Sequence, residues 1–259
     1  MHKINKVNVK KDIATMKLLL ALGLAAGSPI NVRADEDIKF NYEVWGNPEY
    51  IDQITEAMHN IPDGLQEYLR DLGVEITILE GENDAETVYA QEIGEPAPGA
   101  ITGVTLNYAD GEKVIYSEGS KHSNHYPMYL DRNPDIDEKD RITEDELCSR
   151  IAIDTIYHEM WHAFDFAEGL GLCSSPEIYE IYNSEVENFK QSEAFKVDNL
   201  GVTTNVSNTQ EFVATFGSAW LTAQSNPDYY DELTTLCPEA YNYMESYVNS
   251  IEERYTRTR

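Results

Sequence analysis

A single stretch, Tyr157-His158-Glu159-Met160-Trp161-His162, carries the most information in this chain of 259 residues. On a helix, positions four apart lie one turn from each other, so both imidazoles point to one side, about 6 Å apart along the axis. Two imidazole nitrogens at that spacing can bind one zinc ion at about 2.0–2.1 Å each. Glu159 lies beside them but is angularly offset, so it can take a proton from a metal-activated water without being a ligand. The stretch therefore predicts a zinc site with two histidine ligands and Glu159 as general base.

Neighbouring positions extend the predicted site. Catalytic zinc usually has three protein ligands and one open position, and no histidine follows His162 at a suitable spacing. A downstream acidic residue is therefore the expected third ligand. Asp165 falls on the same helix face as both histidines, where its carboxylate can accept the second N–H of a ligand imidazole and fix its tautomer.

The sequence after residue 140 indicates a series of helices. Thr143 and Glu146 form a capping box, and apolar residues at helical spacing continue to Glu168. Further helices are predicted over 176–195, from a capping box at 207–210 to about 224, and from Pro227 to the C-terminus. The two histidines therefore belong to a long helix within a helical C-terminal half.

The preceding region mixes short helices with strands. Apolar positions over 49–72 predict two helices split at Pro62-Asp63-Gly64, and 74–79 alternate as a strand. Residues 81–94 are polar and are predicted to be irregular. Residues 101–108 and 113–117 form a predicted hairpin around Asp110-Gly111, and its first strand is a candidate edge for an extended peptide. The predicted fold class is α+β with a small mixed sheet.

Two segments together resemble a known family of zinc peptidases. Residues 157–165 contain the pattern His-Glu-x-x-His-x-x-Asp, and residues 210–216 contain Glu-Phe-x-Ala-x-Phe at a predicted helix start. This pairing looks like the catalytic domain of anthrax lethal factor and the related Pro-Pro endopeptidases, over roughly residues 100–225. The resemblance implies a zincin-like fold, a Zn²⁺ cofactor, a peptide or protein substrate, endopeptidase activity, and Glu211 as the third zinc ligand.

One position departs from the family, and two other interpretations stay open. The family usually places a catalytic tyrosine seven residues before the ligand glutamate, where this chain has Thr204. Tyr179 and Tyr182 are the alternative candidates for stabilising the oxyanion. A thermolysin-type peptidase would instead take its third ligand from the nearer helix, at Glu185 or Glu187. A weakly active, metal-stabilised toxin or binding module is the other alternative.

The N-terminus has the pattern of an export signal. A basic lead-in precedes an apolar run over 18–26, and Val32-Arg33-Ala34 is a small-x-small cleavage site before Asp35. We therefore expect a signal peptide over 1–34 and a secreted catalytic domain over 35–259. Within that domain, 35–95 is a candidate small N-terminal subdomain.

Charge and composition exclude some partners. The formal net charge is −28, and removal of residues 1–34 would lower it to about −33. Such a charge repels nucleic acid, because phosphate binding needs clustered lysine and arginine. No second long apolar segment predicts a membrane anchor. The chain has three cysteines, Cys148, Cys173 and Cys237, and their spacing does not indicate which two could form a disulfide. The sequence also does not indicate the oligomeric state. His122 and His125 are expected to be ordinary loop residues.

Overall fold

The computed structural model describes residues 38–46, 48–80, 84–97, 101–108, 112–119, 143–169, 171–198, 206 and 208–256. Several predicted features lie outside these ranges. They are the signal peptide with its cleavage site, the hairpin turn at 109–111, the histidines His122 and His125, and Thr204.

The described residues include four strands in one mixed sheet. The small mixed sheet was predicted, but the strand over 41–44 was not. The strands are β1 (Asn41–Val44), β2 (Val74–Leu79), β3 (Gly103–Asn107) and β4 (Lys113–Glu118). The strand order is β1-β2-β4-β3, with β1, β2 and β4 parallel and β3 antiparallel to β4. Within the described ranges, β3 is therefore an edge strand with β4 as its one neighbour, and the predicted pairing of the hairpin is confirmed.

Helices account for most of the C-terminal half, as the sequence predicts. The helices of the described residues are α1 (Ile51–His59), α2 (Asp63–Asp71), α3 (Ala85–Ile93), α4 (Glu144–Ala167), α5 (Gly171–Ser174), α6 (Pro176–Phe189), α7 (Glu193–Asp198), α8 (Thr209–Ala223), α9 (Pro227–Leu236) and α10 (Pro238–Thr256). The molecule is thus α+β, with a small sheet followed by a helical region.

Each face of the sheet packs against a different set of helices, because successive strand residues point to opposite faces. Ile76 and Ile115 belong to the main core, which also contains α1, α2 and α4. Val114 and Tyr116 face the other way and pack with Val88 of α3. The main core therefore lies between the sheet and the helical half.

Helix α3 corrects the expectation that 81–94 are irregular. The Asp84 side chain accepts the Thr87 N–H at 2.6 Å and caps the helix start. Gly94 ends it at a φ of 80°, a conformation that glycine adopts without strain. Only Ala85 and Val88 are buried in this helix, so the apolar periodicity on which the prediction relied is weak. The caps, rather than the pattern, define this helix.

Two predicted helices are each divided in the structure. The helix expected over 176–195 breaks after Phe189, where the Ser192 hydroxyl donates to the Phe189 carbonyl and accepts from the Phe195 N–H. The helix expected from Pro227 breaks at Cys237, because the following Pro238 disfavours a helical conformation in the residue before it. Helix α8 also has a different cap from the one predicted. Asn208, and not the residue before it, accepts the Glu211 N–H at 2.9 Å.

Helix α4 lies between β3 and β4 on one side and α8 on the other. Two glycines allow this close approach. A Cβ added at Gly103 of β3 would overlap Thr155 of α4, and one added at Gly217 of α8 would overlap the Trp161 indole. Trp161 is fully buried. The contacts of this three-layer arrangement fix where the predicted site residues meet.

Two further findings concern the cysteines and the apolar character of the helices. None of the three cysteines forms a disulfide, and all three are buried. Along the described ranges, no helix has both the length and the apolar character needed to cross a bilayer.

Candidate metal centre

Three predicted ligands come together at the α4–α8 contact. The Nε2 atoms of His158 and His162 lie 3.0 Å apart. The Glu211 carboxylate oxygens lie 3.4 Å from the first of these nitrogens and 3.7 Å from the second. One ligand atom from each of the three residues falls within 4.8 Å of the others, and this is the group that fits a metal among the residues that the structure places.

These separations fit a zinc ion. Ligands about 2.0–2.1 Å from a tetrahedral ion lie roughly 3.3 Å from each other. Two neutral imidazoles and one carboxylate are also the ligand set of His₂Glu catalytic zinc sites. The Glu211 side chain is 30% exposed while both imidazoles are nearly buried, so the cluster opens on the glutamate side.

Local structure explains why Glu211 is at this position. It lies in the first turn of α8, where its own N–H is held by Asn208. The residues after it, from Phe212 to Leu221, are all buried. Aromatic contacts of Phe212 and Phe216 with Phe189 pin the helix against α6. A first-turn carboxylate on such a fixed helix has little freedom to move away from the imidazoles.

The charges around the imidazoles favour a bound cation. Burial opposes protonation of His158, but the carboxylates of Glu211, Glu159 and Asp154 outweigh it and raise the pKa of the imidazole. Burial also opposes ionisation of Glu211, yet hydrogen bonds from His158 and His162 hold the pKa of this carboxyl well below its ordinary value. Carboxylates thus surround two ring nitrogens, and a divalent cation bound there would offset their negative charge.

A second layer of polar residues lies behind His158. Its Nδ1 faces the Thr215 hydroxyl at 3.5 Å. Asp154, one helical turn earlier on α4, accepts a short hydrogen bond from Ser218. Sequence reasoning missed these three residues. The signal was present, since Asp154 precedes His158 by four positions and Thr215 follows Glu211 by four, which places each pair on one helix face.

Asp165 has a different contact from the predicted one. Its Oδ1 accepts the backbone N–H of Cys173 at 3.0 Å, and its Oδ2 is buried with no hydrogen-bond partner among the described residues. The carboxylate therefore ties the end of α4 to the short helix α5. No hydrogen bond joins it to an imidazole in the described structure, and its role in fixing a histidine tautomer stays a prediction.

Glu159 is oriented by the edge strand. It is 8% exposed, and its Oε2 accepts a hydrogen bond from the Thr105 hydroxyl at 2.7 Å. The structure records no partner for its other carboxylate oxygen, Oε1, among the described residues. Its position next to His158 on α4 gives it the angular offset that the sequence predicts for a residue that does not bind the metal.

The two glutamates of α6 that a thermolysin-type peptidase would use as the third ligand have other partners. Glu185 is buried, and its two oxygens accept the N–H groups of Glu239 and Ala240 at 3.0 and 2.8 Å. It therefore caps the start of α10. Glu187 is an exposed surface residue paired with Lys190. Neither belongs to the cluster of possible metal ligands.

The two alternative oxyanion candidates also have clear positions. Tyr182 donates its hydroxyl to the Val206 carbonyl at 3.0 Å and packs against Phe212. Tyr179 is 61% exposed. Tyr182 is thereby hydrogen-bonded to Val206 near the start of α8, and neither position identifies a donor for an oxyanion.

Comparison with known proteins does not assign a function to this chain. No protein-family model matches the sequence, and no curated protein matches it. Among solved structures, the chain is similar to the Pro-Pro endopeptidase PPEP-2 from Paenibacillus alvei, with a TM-score of 0.48 and 14% identity over 79% of this chain and 96% of that one. A likeness this weak assigns neither a family nor an activity.

Proposed function

We propose that this protein is a secreted zinc-dependent endopeptidase, with His158, His162 and Glu211 as metal ligands and Glu159 as general base. The observation that supports the proposal most is the convergence of the three ligand residues from two separate helices. The sequence predicts two of these residues from one motif, and the third lies 49 positions later. One ligand atom from each residue lies within 4.8 Å of the others, which suits coordination of one ion.

The chemistry follows from the residue types. A zinc ion in this triad would polarise a carbonyl and lower the pKa of water to near 7. The Oε2 atom of Glu159 is held by Thr105, which leaves Oε1 to accept the proton of the attacking water. The same carboxyl can then pass that proton to the leaving amine. Its burial makes the exchange less dependent on bulk solvent.

We propose that the substrate peptide binds along strand β3. Its outer edge has no strand neighbour among the described residues, and its inner residue Thr105 contacts Glu159 directly. An extended peptide added to this edge would gain main-chain hydrogen bonds. The peptide would then lie beside Glu159, the proposed general base, as hydrolysis of its backbone requires.

The deciding experiment is cleavage of a mixed peptide library by the purified protein, with and without a chelator. We expect about one zinc per chain and cleavage that the chelator abolishes. Glu159→Gln should keep its zinc, because this side chain is not a ligand, and should lose on the order of 10²–10⁴-fold in kcat. Glu146→Gln, an exposed residue on the same helix, is the matched control and should retain full activity.

Two results would contradict the proposal. His158→Ala with unchanged zinc content would mean that the metal is bound elsewhere. A zinc-loaded protein that cleaves no peptide in the library would favour the metal-stabilised binding module. The thermolysin-type alternative is less favoured, because Glu185 is already engaged at the start of α10.

A further inference from the structure

The Thr105 hydroxyl lies between two acceptors of the same residue. Its Oγ1 is 2.7 Å from Glu159 Oε2 and 2.8 Å from the Glu159 backbone oxygen. Thr105 is buried and belongs to the edge strand β3. This strand packs against α4, the helix that carries His158 and His162. A threonine hydroxyl carries a single proton, so it can donate to one of the two acceptors at a time.

This contact matters because it acts on the carboxylate of the proposed general base. A glutamate side chain has three rotatable bonds, and ordering it costs conformational entropy. An ionised carboxylate accepts hydrogen bonds and donates none. The Thr105 hydroxyl is the donor to this carboxylate among the described residues, and hydrogen bonds to charged groups are stronger than neutral ones.

We propose that Thr105 is a positioning residue for the general base: its hydroxyl fixes one carboxylate oxygen of Glu159 so that the other faces the metal ligands. The inference rests on the proposed function and deepens it. It makes the edge strand, as well as α4, part of the hydrolytic apparatus. A peptide lying on β3 would then be held by the same strand that orients the base.

A second hydroxyl contact between the same two elements provides a matched control. The Thr102 Oγ1, directly before β3, lies 2.9 Å from the Thr155 Oγ1 of α4. This contact joins the same chain segments but does not touch Glu159. Removing either hydroxyl removes one hydrogen bond between the same two chain segments. A loss of activity seen with Thr105 but not with Thr102 would therefore be due to the contact with Glu159.

The test compares Thr105→Val, Thr105→Ser and Thr102→Val in the full chain, by steady-state kinetics, zinc content, thermal unfolding and crystallography of the metal-free protein. For Thr105→Val we expect kcat to fall about 10–100-fold, from the loss of a hydrogen bond to a charged group. KM and zinc content should be unchanged, and the Glu159 carboxylate should turn from its wild-type orientation. Thr105→Ser should restore most of kcat, and Thr102→Val should leave kcat near the wild-type value, because Thr102 does not touch Glu159.

A double variant tests whether Thr105 acts through Glu159. In a Glu159→Gln background, Thr105→Val should cause little further loss, because two residues that act through one group are not additive. Equal losses of kcat in Thr105→Val and Thr102→Val, or an unmoved Glu159 carboxylate in Thr105→Val, would overturn the role of Thr105 while leaving the proposed function intact. A wild-type protein without chelator-sensitive cleavage would overturn both.

Discussion

At the scale of single residues, two buried or half-buried glutamates show how context decides what a carboxylate does. Glu211 lies on α8, which packs on α4, and Glu185 lies on α6, which packs on α8. Glu211 faces two imidazoles, whereas Glu185 faces the first N–H groups of α10. The first arrangement suits a metal ligand and the second suits a helix cap.

This contrast gives a paired prediction. Glu211→Ala should reduce zinc affinity by more than the 10–100-fold that is typical of losing an outer-shell contact, and should abolish hydrolysis. Glu185→Ala should keep its zinc but lose about 1–3 kcal/mol of unfolding free energy, because two buried N–H groups lose their acceptor. Metal titration and denaturant unfolding of both variants measure the two effects separately. The reverse pattern would place the third ligand on α6.

The sequence predicted that His158 and His162 lie together but not which residues surround them, for a physical reason. His158, Glu159 and His162 lie within one helix, so their geometry follows from helical periodicity alone. Glu211 could be named only because its segment resembles that of a known family. Thr105 contacts Glu159 across 54 positions. Such long-range pairing depends on strand register and helix docking, which a local pattern does not determine.

At the scale of elements, the packing of α8 on α4 sets the spacing of the ligands. Gly217 lies where α8 crosses the fully buried Trp161, and an added Cβ would overlap the indole. The glycine therefore allows the two helix backbones to approach closely. Any separation of these helices would also separate Glu211 from the two histidines.

Gly217→Ala tests this arrangement. Alanine normally stabilises a helix interior by about 0.5–1 kcal/mol over glycine, so a loss of stability reports steric overlap. We expect a loss of about 1–3 kcal/mol, as is typical of overpacking, together with weaker zinc binding. Gly171→Ala is the control, since its added Cβ would meet only the Glu168 Cβ at 3.6 Å, an ordinary contact. A stabilised Gly217→Ala variant with normal zinc affinity would contradict the close-packing argument.

A second element-scale feature joins β4 to α3. Glu118 at the end of β4 is buried, and its side chain accepts the Ala85 N–H at the start of α3 at 3.1 Å. Burial, with smaller effects of Asp84 and Glu86, raises the pKa of this carboxyl to about 8, against the stabilising hydrogen bond from Ala85. The group therefore holds its proton in the folded protein over a pH range in which the unfolded chain has lost it.

The sign of the pH dependence follows from that difference. Between the ordinary value of 4.5 and about 8, the folded state binds more protons than the unfolded state, so this group makes stability fall as pH rises. Each pKa unit corresponds to about 1.4 kcal/mol. Glu118→Gln, which keeps the acceptor for Ala85, should flatten this part of the curve of unfolding free energy against pH. The exposed control Glu245→Gln should reproduce the wild-type curve, and an unchanged Glu118→Gln curve would show that Glu118 is ionised in the fold.

At the scale of the whole molecule, one sheet joins strands from before residue 95 to the hairpin that packs on α4. Strand β2 pairs with β1 on one side and with β4 on the other. The region over 35–95 thus shares its sheet with the hairpin that packs on α4. The sequence predicted β2, β3 and β4 but not β1, whose pairing with β2 depends on contacts between distant segments. Whether 35–95 behaves as a separate subdomain stays a prediction.

Export is the prediction that concerns the whole chain, and it rests on the N-terminal pattern alone. Ile38 and Phe40 are buried in the main core at 6% and 2% exposure. A cleavage after Ala34 would leave both in place, while removing the basic lead-in and the apolar run. The predicted cleavage is therefore compatible with an intact sheet, because β1 begins at Asn41.

We expect the protein recovered from culture medium to begin at or near Asp35, as measured by intact mass. A chain that starts at Asp35 should unfold at the same temperature as the full-length protein. A chain that starts at Asn41 should be less stable by about 3–6 kcal/mol, because burial of a large apolar side chain contributes about 1.5–3 kcal/mol. Retention of Met1 or Met16 in the exported form would contradict the signal peptide. Equal stability of the two shortened chains would instead mean that Ile38 and Phe40 do not contribute to the core, and that the boundary of the folded domain lies further along the chain than the structure indicates.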